Sequence, residues 1–180
     1  RPDARGCAGY KWLLGPYGIG AAYYGARFDG GVPLEENWLM RRGSEDFSRL
    51  VDYQDAYQPG ATRYDVGERC DFIGVPMLVA ALDQLLAWGV ESIQAYCEGL
   101  LSNVLPAFER LGVWVEEPRW RGAHLFGLRL PPGADRQRVL DALDARRVSV
   151  SARGDAVRVS LHVYNEKADL DALLEALEAM

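Results

Sequence analysis

From residue 113 to the end the apolar residues change period several times, and this constrains the fold more than any other feature of the sequence. Residues 113–117 (VWVEE) and 123–130 (AHLFGLRL) alternate as strands do, and residues 118–122 join them as a hairpin-like loop. Residues 135–147 return to helical spacing, with Val139, Leu140 and Leu143 on one face and basic residues near the C-terminus. Residues 148–153 and 156–163 read as two more strands, separated by Gly154-Asp155. Asn165 is expected to cap a last helix whose core stripe is Leu170, Leu173, Leu174, Leu177 and Met180. Four strands with two helices predict a compact α+β unit: an antiparallel sheet with helices on one face.

Upstream the pattern is different. Residues 76–88 and 91–110 have helical periodicity, ended by Gly89 and Gly112, and Pro106 is expected to kink or loosen the second helix. Residues 19–26 (IGAAYYGA) read as a short buried strand entered from a Gly-Pro turn, whereas residues 4–7 make a poor strand. Residues 27–66 have little periodicity and carry Gly, Pro, charges, Tyr53, Tyr57 and Tyr64, as functional or partner-bound stretches do; a surface excursion that covers part of the core is the equal alternative. One apolar strand and an irregular stretch cannot bury themselves. The expected organisation is therefore an incomplete unit, residues 1–90, followed by a small α+β domain, residues 91–180, in a chain that is part of a longer one.

Charge narrows the function. The net charge of -6 disfavours a general nucleic-acid binder, which needs a basic face, and no stretch is apolar and long enough for a membrane span. Cys7, Cys70 and Cys97 are few and irregularly spaced, which points to a reducing compartment such as the cytoplasm and to no disulfide framework. His124 and His162 lie one per strand with no ligand-spaced Cys or Glu, so no metal site is expected. Of the 20 Lys and Arg residues only Lys11 and Lys167 are lysines. Where positive charge alone is needed this chain uses Arg, so Lys11 draws attention to what an amine does and a guanidinium does not. It lies in Ala8-Gly-Tyr-Lys-Trp-Leu-Leu-Gly-Pro16, where desolvation would favour a Schiff-base-forming neutral amine. The competing reading is a lysine with its stem packed and its head in water.

The run Gly9-Tyr-Lys-Trp-Leu-Leu-Gly-Pro16, continuing to Gly18-Ile-Gly20, resembles the lysine segment of class V aminotransferases, enzymes that use pyridoxal 5'-phosphate (PLP). Arg63-Tyr-Asp-Val-Gly-Glu-Arg-Cys-Asp-Phe72 resembles the segment that in that family approaches the cofactor phosphate of the partner subunit. Val157-Arg-Val-Ser-Leu-His-Val-Tyr-Asn165 resembles the block that holds the substrate carboxylate. The resemblance implies an α/β fold, the C-terminal half of a PLP-dependent transferase: part of the large PLP-binding domain (residues 1–90), then the small α+β domain. It implies Lys11 as Schiff-base and catalytic lysine, Gly67 beside the cofactor phosphate, Arg158 on the carboxylate of an amino-acid substrate, and a homodimer.

Several positions depart from the family pattern. Ala8 and Tyr10 stand where a small hydroxyl residue and a His often precede the lysine, and Glu68 stands where Thr often follows the glycine. No Cys follows Cys97, so the persulfide chemistry of desulfurases is not expected. The groups that the family draws from its earlier half are missing, and the chain alone is expected to be inactive. The resemblance implies an aminotransferase-like enzyme first; a PLP-dependent lyase or epimerase, or a non-catalytic interaction module retaining the fold, are the alternatives.

Overall fold

In a computed structural model, residues 2–154 and 156–180 are described, and they form two compact units, residues 1–87 and 88–180. In the first unit, strands β1 (Ala4–Ala8) and β2 (Gly20–Tyr24) pair antiparallel, with Cys7 opposite Ala21. β1 forms although its sequence is a poor strand, because cross-strand pairing overrides a weak local preference. β2 was expected to be buried but is largely exposed: a two-stranded ribbon has no second layer of its own. Residues 26–64 hold four short 3-10 helices and no longer element, in keeping with their lack of periodicity. Helix α1 (Gly74–Trp88) closes the unit. Asp71 caps it, its carboxylate accepting from Ile73 N–H at 3.0 Å and Gly74 N–H at 2.6 Å. Leu78 and Leu85 are buried on α1, whereas Met77 and Leu86, expected on the same stripe, are exposed.

The second unit begins with helix α2 (Val90–Arg110), which buries Ile93, Cys97, Leu100, Leu101, Val104 and Phe108 at intervals of three and four. The helix runs unbroken past Pro106, which is exposed. The carbonyl that loses its donor there is that of Ser102, also on the exposed side. Strands β3 (Trp114–Val115), β4 (Leu125–Arg129), β5 (Ser151–Arg153) and β6 (Ala156–Ser160) form one antiparallel sheet in the order β3-β4-β6-β5. Each is shorter than its apolar run. At two strand starts the residues instead finish the preceding helix's last turn, Val113 N–H donating to Phe108 O and Val148 N–H to Leu143 O, whereas Leu161 N–H to His124 O continues the β4–β6 pairing by one bond. Helix α3 (Arg136–Ala145) is capped by Asp135, and helix α4 (Lys167–Leu177) packs against both α2 and α3. The cap of α4 is Glu166, not Asn165. Glu166 and Asp169 form a reciprocal capping box, while the Asn165 side chain accepts from His162 N–H at 3.0 Å and so closes the preceding turn.

Strand alternation divides the sheet into two faces. Phe126 and Leu128 on β4, with Val157 and Val159 on β6, are buried and share a core with Val139 and Leu143 of α3 and Leu170, Leu173 and Leu177 of α4. His162 is buried at the end of this core, 5.4 Å from the Tyr164 ring in a stacked arrangement and edge-on to Trp88. Burial, and secondarily the nearby His124, pushes its pKa below the usual histidine value.

Leu128→Ala, at a fully buried position, should cost about 2–5 kcal/mol in denaturant unfolding. His162 gives a pH dependence. Its folded pKa lies below its unfolded value, so its contribution is complete above about pH 6.5 and is lost as pH falls from there towards the folded pKa. Unfolding followed across that window should show stability declining with acid in the parent and a flatter profile in His162→Phe.

Candidate active site

The Lys11 segment is a closed loop tied by backbone bonds. Gly9 N–H donates to Ile19 O at 2.9 Å, Gly15 N–H to Gly9 O at 2.8 Å, and Leu14 N–H to Lys11 O at 2.9 Å. The closure needs glycine. A Cβ on Gly9 would lie 2.7 Å from Ile19 O, and one on Gly15 would lie 2.7 Å from Leu78 of α1. The loop therefore rests on α1 and projects Lys11 from its outer side. Tyr10 and Tyr17 stack at 4.3 Å across it, and Lys11 Nζ sits 5.4 Å from the Tyr10 ring centre. Lys11 is exposed rather than desolvated, with no carboxylate partner among the described residues, whereas Lys167 is ion-paired to Asp171. The apolar neighbours in the sequence do not enclose the amine, because Trp12 and Leu13 turn partly inward while Lys11 turns out.

Gly67 lies in the irregular segment. Its N–H donates to the Glu35 carboxylate at 2.7 Å, and Glu68 beside it has a left-handed φ of 55°. The Gly67 N–H thus receives an anionic oxygen, supplied here by a side chain that the sequence did not single out. The glycine leaves room for that contact, since an added Cβ would stand 3.1 Å from the same carboxylate oxygen. Around it, Tyr64 donates to Phe28 O at 2.5 Å, Arg63 to Gly31 O at 2.9 Å, and Tyr57 bonds Glu36, which also pairs with Arg41 at 2.8 Å. These bonds hold a stretch that lacks regular structure. A cavity of about 590 Å³ lined by Trp38, Arg41 and Tyr53 opens in it, and neither Lys11 nor Gly67 lines that cavity.

Arg158 lies on the open face of the second unit's sheet. Its cross-strand neighbours are Gly127 on β4 and Ser151 on β5, and its same-face neighbours along β6 are Ala156 and Ser160. A long cation thus stands in a ring of four small residues, at the floor of a depression of about 270 Å³. Its guanidinium lies 3.4 Å from the Ser151 hydroxyl, and it has no ion pair among the described residues. Arg129, on the same face, instead covers the Trp114 ring at 4.7 Å. Lys11 and Gly67 share the first unit, and Arg158 is in the second.

All three cysteines are free: Cys7 and Cys70 are exposed, and Cys97 is buried, with its thiol pKa pushed up by that burial. Among the described residues no helix is long and apolar enough to cross a membrane.

No family model matches the sequence. The isopenicillin N epimerase of Amycolatopsis lactamdurans is 28% identical over 96% of this chain and 46% of its own length. The cysteine desulfurase CsdA from Escherichia coli superposes with a TM-score of 0.75 at 22% identity, over 98% of this chain and 45% of its own. An alanine–glyoxylate aminotransferase from Nostoc sp. gives 0.63 at 19% identity, over 98% and 47%. The fold is that of the C-terminal part of PLP-dependent transferases. The chain spans about half the length of the relatives it matches. Its α/β class and its antiparallel small-domain sheet agree with the expectation from sequence.

Gly9→Ala should open the Lys11 loop, because its Cβ meets a backbone carbonyl that cannot move aside freely. Amide exchange at Gly15 should then speed up by about tenfold or more, with exchange in α2 unchanged; unchanged exchange at Gly15 would count against a loop held by these bonds.

Proposed function

We propose that the chain is the C-terminal part of a PLP-dependent, aminotransferase-like enzyme that acts on an amino acid. The observation that carries the proposal is the glycine-tied loop that holds Lys11 out, unpaired by any carboxylate among the described residues, on a PLP-dependent transferase fold. An exposed, unpaired amine on a constrained loop fits a lysine that bonds an aldehyde, and the Gly67 N–H, already holding a carboxylate oxygen, fits an anionic phosphate oxygen. Bound PLP supplies the electron sink that lets an amino acid lose its α-proton. Lys11 tethers the cofactor and afterwards carries the proton to and from the α-carbon. Gly67 gives its N–H to the phosphate in place of Glu35. Arg158 holds the α-carboxylate in a two-pronged bond, for which its ring of small neighbours leaves room.

Within this reading an aminotransferase-like or epimerase-like reaction is preferred to a desulfurase. Cys97 is the one cysteine of the second unit, and it is buried with a raised pKa. The reading includes a homodimer in a reducing compartment, with an amino-acid substrate and the remaining cofactor contacts drawn from residues outside this chain, which alone would be inactive. One observation favours a non-catalytic module instead: Glu35 already fills the N–H that a phosphate needs, with Glu68 beside it.

Incubation with PLP, borohydride reduction and peptide mapping tests the proposal. Lys11 should be labelled in preference to Lys167, which Asp171 holds, and Lys11→Arg should abolish the label without changing thermal unfolding. Equal labelling of both lysines would remove Lys11 from the cofactor role. In the complete enzyme, a keto acid with an aminated acceptor identifies a transferase; ammonia or a sulfur product identifies a lyase.

A further inference from the structure

The depression over Arg158 is more cationic than one carboxylate requires. It is lined by Arg121, Arg153 and Arg158, against Glu116 as its one acidic residue among those described, in a chain whose net charge is -6. Arg153 and Arg158 share the open face. Arg153 stands opposite Ala156 on edge strand β5, two residues along from the Ser151 that faces Arg158. That is the diagonal cross-strand relation, about 7–8 Å between backbones, which long side chains bridge easily. Only the small Ala156 and Ser151 lie between these two cations.

Each guanidinium has bonding capacity to spare. Among the described residues, Arg153 donates to the neighbouring Ala152 carbonyl at 2.9 Å, Arg121 to the Glu116 carbonyl at 2.8 Å, and Arg158 to the Ser151 hydroxyl at 3.4 Å. A guanidinium has five N–H donors. The nearby Glu117 is spent elsewhere, paired with Arg119 at 3.0 Å. Like charges on one small-residue floor repel, and a ligand with two anionic ends relieves both.

The geometry points to Arg153 as the group that reads a second carboxylate, so that the site takes a dicarboxylic amino acid. Arg158 binds the α-carboxylate and Arg153 the distal one, with Arg121 on the rim. This rests on the reading of Arg158 as the carboxylate holder, but its test needs no cofactor.

Titration calorimetry of the whole chain with glutarate and with butyrate, at low salt, is the experiment. Glutarate should bind more tightly than butyrate. Arg153→Gln should weaken glutarate by about tenfold and leave butyrate unchanged, and Arg153→Lys should recover part of the loss. Arg158→Gln should weaken both ligands. Arg153 is exposed on an edge strand, so thermal unfolding should not change and serves as the fold control. Equal affinities for the two acids, no binding of either, or an Arg153→Gln variant that binds glutarate like the parent would each overturn the inference. Loss of Lys11 labelling with glutarate selectivity intact would sink the proposed PLP chemistry and leave the dicarboxylate site standing.

Discussion

The β4–β6 pairing sets up the second unit. In that register Leu128 lies opposite Val157 and Phe126 opposite Val159, so four apolar side chains enter the core together. The same register places Gly127 opposite Arg158 on the other face. A slip of one residue would turn Arg158 into the core and Val157 and Val159 into water. Burying an unpaired guanidinium is far too costly for that alternative to compete. The hydrophobic core therefore fixes where the arginine stands, and the site and the stability of the unit share one constraint.

The first unit works by another means. Its lysine loop leaves much of its apolar surface uncovered and is tied by backbone hydrogen bonds, with glycine required at Gly9 where a Cβ would meet a backbone carbonyl. The segment after β2 is held similarly, by side chains reaching backbone carbonyls, as Tyr64 reaches Phe28 and Arg63 reaches Gly31. Such a framework positions groups without a thick core, and it leaves apolar residues such as Val75, Met77 and Val79 of α1 exposed.

The open sheet face joins these features to chemistry. Small residues at Gly127, Ser151, Ala156 and Ser160 contribute little to stability where they stand, since none fills space. Their effect is to leave a cationic floor accessible. Arg129 shows the contrast: on the same face, but beside Trp114, its guanidinium is covered by a ring.

Much of this was legible in the sequence. Helical spacing located α1 to α4, alternation located the strands of the second unit, and the scarcity of lysine drew attention to Lys11, because periodicity and composition are local properties. The exceptions have local causes too. Strand starts at Val113 and Val148 were given up to close turns, and the cap of α4 passed from Asn165 to Glu166 because Asn165 bonds the His162 backbone. Other features depended on residues distant in sequence. Glu35 reaches Gly67 across 32 positions, β1 becomes a strand only by pairing with β2, and Lys11 is exposed although its sequence neighbours are apolar. Alternation along the chain is enough to separate Val157 and Val159 from Arg158. That Gly127, Ser151 and Arg153 gather around that arginine follows from folding, because cross-strand neighbours are set by register and not by adjacency along the chain.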